Sequence, residues 1–421
     1  MIEGKIIKYY REKAKLTQKE LGGGICSITH LSKIERGLTE CSTETIEHIA
    51  NRLGIDIEIE LGKLYKIKDL LDRWHEVMIK EALPEVEAIK NELENAPLIH
   101  ISTYKHFYKL LKIRYELIHY HFDKAEDIIH DLQKIEFHLS DYEKNLLKQL
   151  RGMYYIAKSD YVKAIDTLKT IKQNEYNHPE YYYHLAVSYH NLNSQIMCYH
   201  YAEKALHYFK KSNNFLKVID TEMLMLIQLQ FDQHHDFNET VKQYVTLIES
   251  CVICNAIRRK SKLLHNLAFF YYVRKDYQKA SELYKESCSL KNKKSSEYLL
   301  SFEGYIRCSY EAGLLSKAKL IQLTKEGLSV AVELQQNTFR ILFNLLLYLI
   351  KGQHDQYYRY LYEEGLPYYR KYGFVYLIQR SEKELFHYYH EKNEVEKALD
   401  IAYLSFSGED SVPIETRRNN E

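Results

Sequence analysis

The chain has 421 residues, 45% apolar and 28% charged, enough for two or three domains or one long repeat array. Its 59 lysines and arginines nearly cancel its 58 aspartates and glutamates, which excludes a polycation that coats nucleic acid by bulk charge, so any charge-driven site must be local. With only 15 glycines and 5 prolines against 39 tyrosines, breakers are scarce and the expected fold class is all-α.

No apolar run, residues 345–350 included, approaches the roughly 18 to 20 residues of a membrane span. Residues 1–5 open an amphipathic segment and not a basic stretch followed by an apolar one, so no secretory signal is expected. Seven scattered cysteines fit reduced thiols. The expected location is the cytoplasm, with no membrane partner.

The first segment reads as four short helices. Ile2, Ile6, Ile7 and Tyr10 share one face, with Lys5, Lys8, Arg11 and Lys13 opposite. Thr17-Gln18-Lys19-Glu20 is a capping box that starts the second helix, and Gly22-Gly23-Gly24 ends it. Ser27 can cap a third helix with Ile28, Leu31 and Ile34 inward, ended by Gly37. Ser42 or Thr43 starts a fourth with Ile46, Ile49, Ala50 and Leu53 buried, closed by Gly54.

This pattern resembles the lambda-repressor-like, XRE-type helix-turn-helix domain, with Leu16 to Leu21 as the second-helix signature and Ser32 to Gly37 closing the third. The three-glycine turn departs from that class and is expected to loosen the angle between the two helices. Residues 1–36 hold eight lysines and arginines against four glutamates, a basic nose on a neutral chain. In such motifs the third helix enters the major groove while the start of the second meets phosphate. Ser27, Thr29, His30 and Lys33 are therefore the candidate base readers, and Thr17, Gln18, Lys19 and Arg36 the candidate phosphate contacts. The resemblance further implies a structural ion pair between Arg11 and Glu35.

From about residue 100 the chain repeats. Asp160-Tyr161-x-x-Ala164, Asp236-Phe237-x-x-Thr240 and Asp276-Tyr277-x-x-Ala280 share a register that recurs at intervals averaging about 39 residues. Tyr155, Tyr189, Tyr271 and Tyr389 stand nine before register points, and Gly152, Ala186 and Ala268 twelve before. A small residue, an aromatic three later and a small residue nine after that is the tetratricopeptide pattern, in which paired helices approach at the small residue and the aromatic fills the next layer. The organisation expected is a helix-turn-helix domain over 1–62, a linker helix over 63–72 without evident rigid contact, a right-handed tetratricopeptide superhelix over 73–405, and a flexible tail over 406–421.

Counting from the register points places Arg114, Gln149, Tyr183, His190, Gln228, Asn266, Phe269, Tyr272, Glu303, Arg307, Asn344, Lys383 and His387 on the inner helices. Amides pair with peptide backbone, aromatics bury side chains and arginine holds a carboxylate, so these are the candidate peptide-binding residues.

A helix-turn-helix joined to tetratricopeptide repeats resembles the RNPP family of Gram-positive quorum-sensing regulators, nearest its NprR and long PlcR-like branches. The resemblance implies a transcription regulator that binds promoter DNA as a dimer or higher oligomer and is switched by a short re-imported signalling peptide. Asn266 matches the asparagine that the family uses on peptide backbone. The Rap branch, which lacks the DNA-binding domain and binds response regulators, implies the alternative: a protein-interaction regulator under peptide control.

Enzyme patterns are missing. Cys251-x-x-Cys254 has no second pair, and neither a nucleophile elbow, a His-Glu-x-x-His motif nor a phosphate-binding glycine loop occurs. No catalytic residue, metal site or cofactor is expected.

Overall fold

The computed structural model describes residues 2–101, 103–229 and 236–407. Every element there is helical, and no strand occurs among the described residues. The chain divides into two units, Met1–Gln228 and Leu229–Glu421. No helix among the described residues is long and apolar enough to cross a membrane.

The first unit opens with helices Ile2–Lys13, Gln18–Gly22, Ile28–Glu35 and Thr43–Leu53 around Ile7, Leu21, Leu31, Ile34, Ile46 and Ile49. The caps fall where expected: Glu20 N–H donates to Thr17 Oγ1 at 3.2 Å, His30 N–H to Ser27 Oγ at 3.1 Å and Thr45 N–H to Ser42 Oγ at 3.3 Å. Gly4 is where the first helix crosses the third, and a Cβ there would overlap the Ile34 carbonyl. The glycine turn is tied down, because Arg52 Nη1 donates to the carbonyls of Leu21, at 3.0 Å, and Gly23. Ile28 departs from its expected inward place and is 49% exposed.

Residues 63–72 are the centre of one long helix, Ile57–Ile79, and they are not a contact-free linker. Asp56 caps its start, and Leu64 and Ile67 pack in one core cluster with Ile6. Further along, Leu71, Trp74, Val77 and Met78 belong to the same cluster, the first layer of the repeats. The helix is fixed at both ends because its apolar stripe continues without a break from one domain into the next.

Helix pairs follow: Lys105–Ile118 with Phe122–Lys134, Asp141–Ala157 with Tyr161–Lys169, and Tyr181–Asn191 with Gln195–Lys211. In the second unit the pairs are Ile257–Val273 with Tyr277–Ser289, Ser296–Glu311 with Lys317–Glu333, and Val375–Glu391 with Val395–Ser407. Between the last two, Asn337–Lys351 is followed by a run that passes through a π turn, Leu361–Gly365.

The repeated aspartate has a local cause. Ser159 and Lys275 take left-handed backbone, and the next residue, Asp160 or Asp276, caps the following helix by accepting from Lys163 N–H at 3.2 Å or Lys279 N–H at 3.1 Å. The small residues act by close approach: a Cβ at Gly152 would lie 2.5 Å from Leu168, and one at Gly327 2.5 Å from the Phe343 ring. Of the tail expected over 406–421, residues 408–421 lie outside the described residues, and 406 and 407 end the last helix.

Candidate functional site

One buried carboxylate positions the basic surface of the first unit. Glu35, 4% exposed, accepts from Arg11 Nε at 2.6 Å, Arg11 Nη2 at 3.0 Å and Gln18 Nε2 at 2.8 Å. Arg11 also donates to the Leu16 carbonyl at 2.9 Å. The start of the second helix is thereby locked to the end of the third, with the ion pair formed as the resemblance implied.

Around that lock Thr17, Lys19, Ser27, Thr29, Lys33 and Arg36 are exposed, and Gln18 and His30 are half-buried. Thr17 and Ser27 spend one acceptor each on caps, and Arg36 Nε donates to the Ser32 carbonyl at 3.1 Å. The side chains of Lys19, Thr29 and Lys33 have no partner among the described residues. Exposed Ile28 adds an apolar group beside Thr29 that can meet a thymine methyl.

The inner-helix residues of the first unit are largely spoken for. Arg114 makes a bidentate pair with Glu180, at 2.8 and 2.6 Å, and Gln149 Nε2 donates to the same carboxylate at 2.8 Å. Tyr176 donates to Gln149 Oε1 at 2.6 Å, closing a buried network. Burial pushes the Glu180 carboxyl up, but the Arg114 guanidinium outweighs it and holds the group well below the usual range. Gln228 Nε2 donates to the Leu224 carbonyl at 2.8 Å and lies 3.0 Å from His190 Nδ1, and Lys217 Nζ sits 5.1 Å above the Tyr183 ring.

In the second unit four inner helices, Ile257–Val273, Ser296–Glu311, Asn337–Lys351 and Val375–Glu391, enclose a cavity of about 420 Å³. Phe269, Tyr272, Glu303 and Arg307 line it. So do Tyr284, Phe339, Phe374 and Tyr376, giving an aromatic box, with Arg380 as a second guanidinium. Arg307 Nε donates to Glu303 at 2.8 Å, and Arg380 Nε to Glu384 at 2.8 Å, while Tyr357 donates to Glu384 at 2.6 Å. The remaining Arg380 donors have no partner among the described residues. An apolar box with two fixed guanidiniums suits a ligand carrying an apolar group and a carboxylate.

Asn266 is half-buried without a hydrogen bond among the described residues and stands beside the lining residue His265, outside the lining itself. Asn344 Nδ2 donates to Tyr360 Oη at 3.3 Å and is also outside it.

Residues 7–59 match the helix-turn-helix family HTH_3. Over 408 residues the chain is 21% identical to the transcriptional activator NprA of Geobacillus stearothermophilus, spanning 92% of this chain and 98% of NprA. Residues 7–59 are thus a helix-turn-helix domain of the HTH_3 family. The fold of the chain is that of the apo quorum sensor NprR from B. thuringiensis, at TM-score 0.68 and 21% identity over 82% of this chain and 98% of that one. NprR in complex with its cognate peptide NprX matches at TM-score 0.62 and 21% identity, over 80% of this chain and 99% of that one.

Counting from the repeat register missed Arg380 and Tyr376, which line the cavity. Lys383 and His387 share the face of Tyr376 and Arg380 by helical spacing, but both are exposed and stand further along the helix, outside the cavity lining. The signal that marks the two missed residues is Tyr376, Arg380 and Glu384 at spacing four, all polar-ended on one stripe.

Proposed function

We propose that the protein is a cytoplasmic transcription regulator that binds promoter DNA through residues 1–62 and is switched by a short extended signalling peptide held by its repeats, residues 73–405. The observation that carries this reading is the pairing, on one chain, of an exposed basic reading helix with an aromatic pocket that holds two charged arginines. Thr29, His30, Lys33 and Ile28 read bases, while Gln18, Lys19 and Arg36 meet phosphate, with Thr17 and Ser27 serving as caps at the same edges. Phe269, Tyr272 and Tyr376 take an apolar side chain of the peptide, and Arg307 and Arg380 take its carboxylate. Asn266 is the candidate for the adjoining peptide amide.

Similarity to the transcriptional activator NprA, and the fold shared with NprR in complex with its cognate peptide, support the two halves of the reading. The active form is a dimer or higher oligomer, since paired half-sites ask for paired reading helices. A response regulator as a further partner is a secondary reading with no residue cluster of its own here. The test is fluorescence anisotropy on duplexes selected from a random pool. The intact chain should enrich one sequence, and a chain lacking residues 1–62 that enriched the same sequence would refute the assignment.

A further inference from the structure

The first unit holds a second cavity, of about 340 Å³, which the reading above does not use. It lies between the last turns of the Ile57–Ile79 helix, the rings of Tyr142 and His178, and the turn that follows Gln195–Lys211. Its walls are clasped together. Asn214 Nδ2 donates to the Ile79 carbonyl at 3.2 Å, and Lys217 Nζ pairs with Glu81 at 2.7 Å.

Two features of the lining point to a ligand. His75 is 4% exposed, and its Nε2 is buried without a hydrogen-bond partner. An unpaired buried polar group is costly, and the ring contacts of His75, 5.0 Å to His178 and 6.2 Å to Phe107, supply no partner for it. At the mouth Asp72 is exposed, and its carboxylate has no cation partner among the described residues. Glu76, one turn on, is already paired with Lys80 at 2.5 Å.

The rings of Tyr142, His178 and Tyr208 line the same cavity, the first two 6.2 Å apart. Ring faces attract a cation, a carboxylate binds it through charge-assisted hydrogen bonds, and a neutral imidazole offers one acceptor for a further N–H. We propose that this cavity binds an organic cation, a guanidinium or primary ammonium group, with Asp72 as counter-ion and His75 as the buried acceptor. The proposal is independent of the peptide pocket in the second unit. The group belongs either to a free amine or to a basic side chain of a peptide, and the chemistry is the same for both.

Trp74, the single tryptophan, is buried on the same helix one residue before His75 and donates to the Val86 carbonyl at 3.1 Å, so its emission is one readout beside heat. The experiment titrates the full chain with agmatine, with a doubly capped Gly-Arg-Gly peptide, and with its uncharged citrulline counterpart, following emission and heat. Saturable binding of at least one charged probe is expected, with none by the citrulline peptide. Asp72→Asn, at an exposed position that leaves the melting temperature unchanged, should weaken binding by about tenfold. Response to agmatine alone assigns a free amine, and response to the peptide alone assigns a side chain. Equal binding of the arginine and citrulline peptides, affinity unchanged in Asp72→Asn, or no binding by either charged probe would overturn the proposal.

Discussion

Tyr10 and Glu60 tie the helix-turn-helix to the repeat scaffold: the phenol donates a 2.7 Å hydrogen bond to a buried carboxylate that Lys63 also pairs at 2.6 Å. The carboxylate belongs to the helix that carries Trp74 into the first repeat layer, so a change in that layer has a stiff route to the reading helices. Tyr10→Phe removes a bond to a charged group, costing about 1.5–3 kcal/mol. Its urea midpoint should fall, and the effect of peptide on DNA affinity should shrink while binding to a single half-site is kept. A wild-type midpoint would show that the contact carries no weight.

The reading surface separates by role. Lys33→Ala and His30→Ala should each lose about 1–3 kcal/mol of discrimination between the selected operator and a single-base variant. Lys19→Ala should weaken all duplexes alike and reduce the salt slope by about 0.9. Anisotropy at three salt concentrations distinguishes the two classes, and a Lys33→Ala variant with intact discrimination would remove that residue from base contact.

Two glycines on neighbouring helices predict opposite signs. Gly62, inside the Ile57–Ile79 helix, has open space where a Cβ would stand, so Gly62→Ala should stabilise by about 0.5–1 kcal/mol through helix propensity. Gly4→Ala drives a methyl into the Ile34 backbone, which cannot rotate away, and should destabilise the first domain despite the same propensity gain. Thermal melts of the two variants check the pair, and a stable Gly4→Ala would mean the helix crossing is looser than described.

Acid sensitivity follows from three histidines. Burial pushes His75 and His265 down to about 3 and His184 down to about 4, so all are neutral in the folded chain and charge on unfolding. The unfolded state then binds more protons below about pH 6.5, and stability present above that pH is lost as pH falls toward the folded values. Each contributes about 1.4 kcal/mol of loss per pH unit in that window. Urea midpoints at pH 7.5 and 5.5 should differ accordingly, and equal midpoints would contradict the buried neutral assignment.

The local grammar of this chain was legible because it is enforced within a few residues. Thr17 with Glu20, Ser27, and Asp160 with Lys163 are caps that any reader of spacing can find. Inner-face positions were less legible, since a pairing such as Arg114 with Glu180 spans 66 residues and leaves no local trace. Tyr376 and Arg380 were missed because the register is weakest just before them: Pro367 lacks an N–H, and a π turn ending at Gly365 interrupts the helical run before the Val375–Glu391 helix begins. Ile28 looked like a core residue by period alone, but as the first residue of its helix it stands at the rim.

If peptide in the repeat pocket changes how the reading helices hold DNA, linkage makes the coupling measurable from both sides. Operator affinity would be determined with and without saturating peptide, and peptide affinity with and without saturating operator, at one salt concentration. Both should change by the same factor, and Arg380→Ala, which removes a carboxylate partner in the pocket, should weaken the peptide while sparing operator binding in its absence. Operator affinity unmoved by a peptide demonstrably bound to the chain would contradict the coupling.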